Sequence, residues 1–159
     1  MFVGIDPGKS GGIALIPHCG CSCKAFIMPL KDGLIDIQAI DKQVFSITLA
    51  VIENVHAFPG QGVVSTFTFG KMYGMLLGWL EMRYAKYVVV DPRKWKNRIL
   101  EGTAKDKEAA ISYVQEKYSD VDLTPGRIRT PHDGIADAVC MAEYAHRLAD
   151  DYVLQERKT

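Results

Sequence analysis

Three short apolar runs open the chain, and they constrain the fold more than anything that follows. Met1 to Asp6 reads as a strand, Asp6-Pro7-Gly8-Lys9-Ser10-Gly11-Gly12 as a turn, and Gly12 to Ile16 as a second strand. Pro17 to Gly20 reads as a hairpin tip and Ser22 to Met28 as a third strand. Three consecutive strands imply an antiparallel meander.

The pattern then changes. Asp36 is placed to cap a helix running to about Phe45, with Ile37, Ile40 and Val44 on one face. Leu49 to Glu53 is a buried strand, and Pro59, Gly60 and Gly62 mark the loop after it. A long helix is predicted over Ser65 to Tyr84. It carries Gly70, Gly74 and Gly78 at four-residue spacing, a smooth stripe suited to packing against a sheet or another helix. Tyr87 to Val90 is a further strand, closed by Asp91-Pro92. Thr103 to Tyr118 is a helix in which Thr103 and Asp106 resemble a capping box. A last helix runs from about His132 to Leu148, leaving 149–159 as a charged tail behind a domain of 1–148. Strands first, then strands alternating with helices, make a mixed α/β domain built on one sheet.

Composition narrows the classes. At 159 residues, one core buries roughly 70% of the unfolded surface, so no staples are required. Hydrophobic residues at 48% and charged residues at 24% argue against a disordered or fibrous chain. No apolar run approaches the length of a membrane span, so no membrane is expected. Met1-Phe2-Val3 has no basic stretch of the kind that begins a secretory signal. Cys19, Cys21 and Cys23 crowd into one hairpin tip, far from Cys140. That is no secreted disulfide framework, and it implies a reduced, cytoplasmic protein with alternating free thiols. The Cys-x-Cys spacing is also too short for the common structural zinc sites.

The chemistry is carried by acids. Asp6 ends an apolar strand before Pro7-Gly8 and Gly11-Gly12, where a carboxylate stands at the mouth of a sheet and a ligand can approach the backbone. Asp-Pro-Gly is also an ordinary turn. Glu53 ends the buried run Val51-Ile52-Glu53, and burying a carboxylate is expensive unless it is paired or binds a metal. A strand-end glutamate pointing to water is the plainer reading. Asp133 and Asp137 lie four apart on one helix face, where like charges repel unless a cation lies between them. Asp133 also suits the helix dipole as a first-turn acid, whereas no cap explains Asp137. Four oxygen-donor acids without supporting cysteine point to Mg²⁺, with Mn²⁺ as a substitute. Two such ions about 3.5–4 Å apart form a site for in-line phosphodiester cleavage.

Taken in order, strand-Asp6-Pro7-Gly8 with Gly11-Gly12, Val51-Ile52-Glu53 and the Asp133/Asp137 helix resemble the RuvC-type Holliday junction resolvases of the RNase H superfamily. The resemblance runs from Met1 to about Ala145. The compact length and the form His132-Asp133-Gly134-Ile135-Ala136-Asp137-Ala138 look most like the bacteriophage branch. The resemblance implies an RNase H-like fold, with a five-stranded mixed sheet ordered 3-2-1-4-5 and flanked by helices. It implies a homodimeric crossover junction endodeoxyribonuclease that places paired symmetric nicks in four-way and other branched DNA, in the host cytoplasm if phage-encoded. Carried over, Asp6, Glu53, Asp133 and Asp137 are the metal-binding, catalytic carboxylates. Bacterial resolvases space the last two ligands three apart; the mitochondrial type uses the four-residue spacing seen here. Gly134 cannot replace either as a ligand, and His132 stands beside them as a phosphate contact or tuning group.

Basic residues fit a DNA partner. Residues 86–107 hold seven basic residues against three acidic ones, an excess of four in a neutral chain. Arg93, Lys94, Lys96 and Lys105 are candidate phosphate contacts. The resemblance matches Lys96 and Lys107 to basic residues near the scissile strand, with Lys107 catalytic. On a helix, Lys107 is equally at home on a solvated face. After Glu53, either His56 or Phe58 supplies an aromatic to stack on an unpaired base, and Phe58 could equally anchor the loop. The apolar Ser65–Tyr84 helix needs burial on two sides, one against the sheet and one in a dimer interface.

Two other readings compete. A non-catalytic branched-DNA-binding module would leave the acids merely structural. An actin/sugar-kinase-type nucleotide-binding protein shares the Asp-x-Gly turn but needs a second such domain. No small-molecule cofactor is expected under the resolvase reading.

Overall fold

In the computed structural model, which describes residues 1–57 and 59–156 (the last four as backbone only), five strands form one sheet. They are β1 (Phe2–Asp6), β2 (Gly12–Ile16), β3 (Lys24–Ile27), β6 (Leu49–Glu53) and β7 (Tyr87–Val90). Two unexpected short strands, β4 (Leu30–Lys31) and β5 (Leu34–Ile35), pair with each other outside it. The sheet order is β3-β2-β1-β6-β7, which is the expected 3-2-1-4-5 when only its own strands are counted. β1 to β3 are antiparallel, while β6 and β7 continue parallel to β1.

Alternation along the central strands divides the core. Phe2 of β1, Ala14 and Ile16 of β2, and Val51 of β6 face one cluster with Trp95, Val114, Ile135 and Met141. Val3 and Ile5, Ile13 and Leu15, and Ala50 and Ile52 face the other, with Ile40, Met72, Leu76 and Leu80. Both faces are covered, so these strands are apolar throughout.

Helix α5 (Asp133–Glu156) lies across β1 and β2 with almost no intervening side chain. A Cβ on Gly4 would overlap the backbone of Ala138 and Ala142, and one on Gly12 would sit 2.7 Å from the Gly134 carbonyl oxygen. The small-residue stripe that permits close approach is therefore Gly134, Ala138 and Ala142. The stripe expected to do so, on α2 (Val63–Met82), behaves otherwise. Gly70, Gly74 and Gly78 meet nothing within 4 Å, and α2 packs through Met72, Leu76, Trp79 and Leu80.

Other boundaries depart from expectation for local reasons. Helix α1 (Ile37–Asp41) is capped by Asp36, as expected, but stops before Phe45. Arg83 donates to the Val44 and Phe45 carbonyls at 2.8 and 2.9 Å, replacing the helical partners those groups would need. Helix α3 (Pro92–Ile99) was not anticipated; Asp91-Pro92 starts it rather than merely closing β7. Helix α4 (Lys107–Lys117) is capped by Asp106, whose carboxylate accepts from the Ala109 N–H at 2.9 Å. Thr103 is not the cap; its hydroxyl donates to the Leu100 carbonyl. Helix α5 continues past Leu148 through most of the expected tail, and residues 157–159 lie outside the described residues.

The expectation of free thiols in the hairpin tip is corrected. Cys19 and Cys21 form a disulfide, because Gly20 at φ +64° turns the chain and brings their Cα atoms to 5.2 Å. Cys23 and Cys140 are free and buried. Among the described residues no helix is long and apolar enough to cross a membrane.

Candidate active site

Strand parity sets the acids. Phe2 and Gly4 face α5, so Asp6 does too; Val51 faces α5, and so does Glu53. Ile5 pairs with Ile52 in the parallel β1–β6 ladder. Asp6 and Glu53 therefore end neighbouring strands on the same face. Helix α5 crosses this point with its first two turns, carrying Asp133 and Asp137. Gly134 makes the approach possible. A Cβ there would overlap the Ser10 carbonyl and sit 2.8 Å from Gly11 Cα and 3.0 Å from the Asp6 carboxylate.

The charges of Glu53, Asp137 and Asp133 all reach Asp6. Burial pushes the Asp6 carboxyl up to about 8, reinforced by Glu53, Asp137 and Asp133 and opposed by Lys96. Burial likewise raises Glu53, with Asp137 adding to the rise. Burial also pushes Asp137 up to about 6, against the pull of Lys96 and Lys107. Asp137 Oδ1 is buried with no hydrogen-bond partner, a state normally too costly to keep. Asp133 goes the other way. Lys107 donates to its Oδ2, and this ion pair holds the carboxyl below its ordinary value.

The four acids thus stand short of positive charge, with one oxygen orphaned and only oxygen donors on offer. In charge and residue type they fit a hard divalent cation. They do not form a finished coordination shell. Among the described residues no group of three or more His, Cys, Asp or Glu side chains is arranged to hold an ion.

The basic candidates separate. Lys96, from the unanticipated α3, reaches Asp6, Glu53 and Asp137 with its charge, and its ammonium lies 5.2 Å from the Trp95 ring. Lys107 reaches Asp133 and Asp137 from the start of α4. Arg93 and Lys94 are exposed on α3. Lys105 donates to Asn97 at 2.8 Å and braces the loop before α4. His132 is the cap of α5: its Nδ1 accepts from the Ile135 N–H at 3.2 Å. His56 is exposed in the loop after β6, and Phe58 lies outside the described residues.

Trp95 is a site residue that sequence reading missed. It is fully buried, and its indole N–H makes no well-formed hydrogen bond. Its polarity nonetheless acts on Glu53 and restrains that carboxyl's rise. The Asp-Pro start, followed by Trp95 and Ile99 four apart, was the available signal.

The same chain trace occurs in solved structures. A Thermus thermophilus RuvC structure matches with a TM-score of 0.55 and 18% identity, over 92% of this chain and 95% of that one. The T. thermophilus RuvC in complex with a Holliday junction substrate matches at 0.57 and 13% identity, over 88% of each. The chain has a RuvC-like fold. No protein-family model matches the sequence, and no curated protein does.

Proposed function

We propose that this protein is a structure-selective, metal-dependent endonuclease that resolves four-way and related branched DNA by paired nicks. One observation carries the reading: Asp6, Glu53, Asp133 and Asp137 come together at one mouth of a RuvC-like fold, with Asp137 Oδ1 unpartnered. These four residues would hold Mg²⁺, or Mn²⁺ in its place, as two cations per site. Bound there, the metal supplies an activated water and neutralises charge developing on the phosphate.

The chain's own residues do the rest. Gly11, Gly12 and Gly134 let the turn after β1 and the start of α5 close directly against the Asp6 end of the sheet. Lys107 sets the Asp133 carboxylate and keeps it ionised. Lys96 offers a positive charge beside the acids where a scissile phosphate would sit. Arg93 and Lys94 extend that charge along α3 for the flanking backbone, and either His56 or Phe58 serves the junction centre. The exposed side of α2, with Phe67, Gly74, Gly78 and Met82, supports a second copy of this chain as partner. Work on cellular DNA would be done in the cytoplasm, and the form His132-Asp133-Gly134-Ile135-Ala136-Asp137-Ala138 supports the phage branch.

The test is a synthetic four-way junction incubated with protein in Mg²⁺ or EDTA, beside Asp6→Asn. Paired symmetric nicks that require metal and vanish in the variant are expected. Tight junction binding without cleavage in either Mg²⁺ or Mn²⁺ would overturn the nuclease reading and leave a binding module.

A further inference from the structure

The end of the sheet opposite the carboxylates holds a second set of reactive side chains. Asp6 ends β1, and Phe2 begins it. The rings of His18 and His146 both meet Phe2 edge-on, with centroids 5.1 and 5.0 Å away. Next to them lies the Cys19–Cys21 turn. A Cβ on Gly20, between the two cysteines, would lie 3.0 to 3.6 Å from ring atoms of His146. An imidazole from α5 is thus laid directly against the turn that carries both sulfurs. Its Nε2 is 3.2 Å from the His18 carbonyl oxygen, and its Nδ1 is 3.7 Å from the Asp150 carboxylate.

We propose that the reduced protein binds a thiophilic divalent cation of the Zn²⁺ class through Cys19, Cys21 and His146, tying the β2–β3 hairpin tip to α5. The spacing Cys-x-Cys supplies two sulfurs but no third ligand. The third comes from α5, which chain spacing could not show. Two thiolates and a neutral imidazole balance a dication, and zinc favours sulfur and imidazole nitrogen over the oxygen donors at the other end of the sheet. Asp150 beside Nδ1 is the carboxylate that commonly orients a metal-bound histidine. Cys19, Cys21 and His18 are all exposed, so the fourth position opens to solvent.

The disulfide and the metal are alternatives. With the bond closed, both sulfurs are used and no group of ligands stands ready among the described residues. A dithiol reductant gives two electrons and two protons to the Cys19–Cys21 bond and is itself oxidised to a disulfide. Each thiol then releases its proton to solvent as its sulfur binds the cation.

The test uses the full chain, reduced with a phosphine, desalted without oxygen and titrated with Co²⁺ as the spectroscopic probe. A thiolate-to-cobalt charge-transfer band saturating at one ion per chain is expected, bleached by Zn²⁺. Co²⁺ taken up by the carboxylates gives no such band, so the two ends of the sheet are told apart. The band should be absent from the oxidised protein and lost in Cys21→Ser. In His146→Gln, affinity should fall at least tenfold. Cys19→Ser and Cys21→Ser replace exposed groups, so their folding is secure; far-UV circular dichroism checks His146→Gln. No band in the reduced wild type, or a band of equal affinity in a folded His146→Gln, would overturn the proposal.

Discussion

Replacing Asp6 by Asn should stabilise the metal-free protein, and the effect should depend on pH. The Asp6 carboxyl is pushed from 3.8 up to about 8 by burial first and by Glu53, Asp137 and Asp133 after it. One pKa unit corresponds to about 1.4 kcal/mol, so the whole rise is worth at most about 6 kcal/mol against the folded state once Asp6 is ionised. Relaxation and water entry reduce this, and a gain of about 2–4 kcal/mol is expected from the substitution. The sign follows from proton counting. Between the two values the folded state holds a proton that the unfolded state has released. Stability is therefore unpenalised below the unfolded value, falls as pH rises, and levels off once the folded value is passed.

Asn is nearly isosteric and always neutral, so it removes that slope. Urea unfolding in EDTA measures the difference directly. At about pH 4 the two proteins should coincide, and at about pH 8.5 the variant should be the more stable by the stated amount. Saturating Mg²⁺ should stabilise the wild type and leave the variant behind. A variant no more stable than wild type at the higher pH would refute the reasoning, because Asp6 would then carry no charge penalty for a cation to relieve.

Two further substitutions test the frame that holds the site. Gly134→Ala gains helix propensity of up to about 1 kcal/mol, but its Cβ would overlap the Ser10 backbone, and overpacking should win by about 2 kcal/mol net; thermal unfolding reads it, with Gly74→Ala, which meets nothing, as the control that does not destabilise the dilute chain. Glu143, 2% exposed, receives hydrogen bonds from Lys117, Tyr118 and Arg147. Burial alone would raise its carboxyl, yet these partners hold it below the ordinary value. Its stabilisation is thus present above the unfolded value of 4.5 and lost as pH falls through the folded one. Glu143→Ala should cost about 2–3 kcal/mol near neutral pH, less than for fully buried pairs because Lys117 and Arg147 stay partly in water; denaturant unfolding at neutral and acid pH checks both the size and the sign.

The strands and the acids were legible because both depend on local pattern. Continuous apolar runs ending in Asp6 and Glu53 show where two strands stop, and a period of two then puts both carboxylates on one face. The helix bearing Asp133 and Asp137 was equally plain. What was hidden depends on contacts distant in sequence. The shortness of α1 is imposed by Arg83, thirty-eight residues beyond the Phe45 carbonyl it binds. Helix α3 was obscured because Asp91-Pro92 stops a strand and starts a helix with the same two residues. The glycine stripe on α2 is the more regular one, but regular spacing says only that a face is smooth, not that anything lies on it. The disulfide was missed because Gly20's positive φ belongs to the turn, and a thiol count does not reveal it.

The close packing of α5 and the charge stress of the site are one geometric fact. Gly4, Gly12 and Gly134 let α5 touch the sheet backbone to backbone, and that contact brings Asp133 and Asp137 over Asp6 and Glu53. A larger residue at any of these glycines would ease the repulsion by lifting the helix away. The chain instead keeps the contact, and among the described residues the ammonium groups that act on the acids are those of Lys96 and Lys107. Lys107 satisfies Asp133, which alone of the four is shifted down. Lys96 is shared among Asp6, Glu53 and Asp137, and all three remain shifted up. One lysine cannot balance three carboxylates. The deficit therefore belongs to the three acids that Lys107 does not bond, and it is there that added positive charge should change stability most.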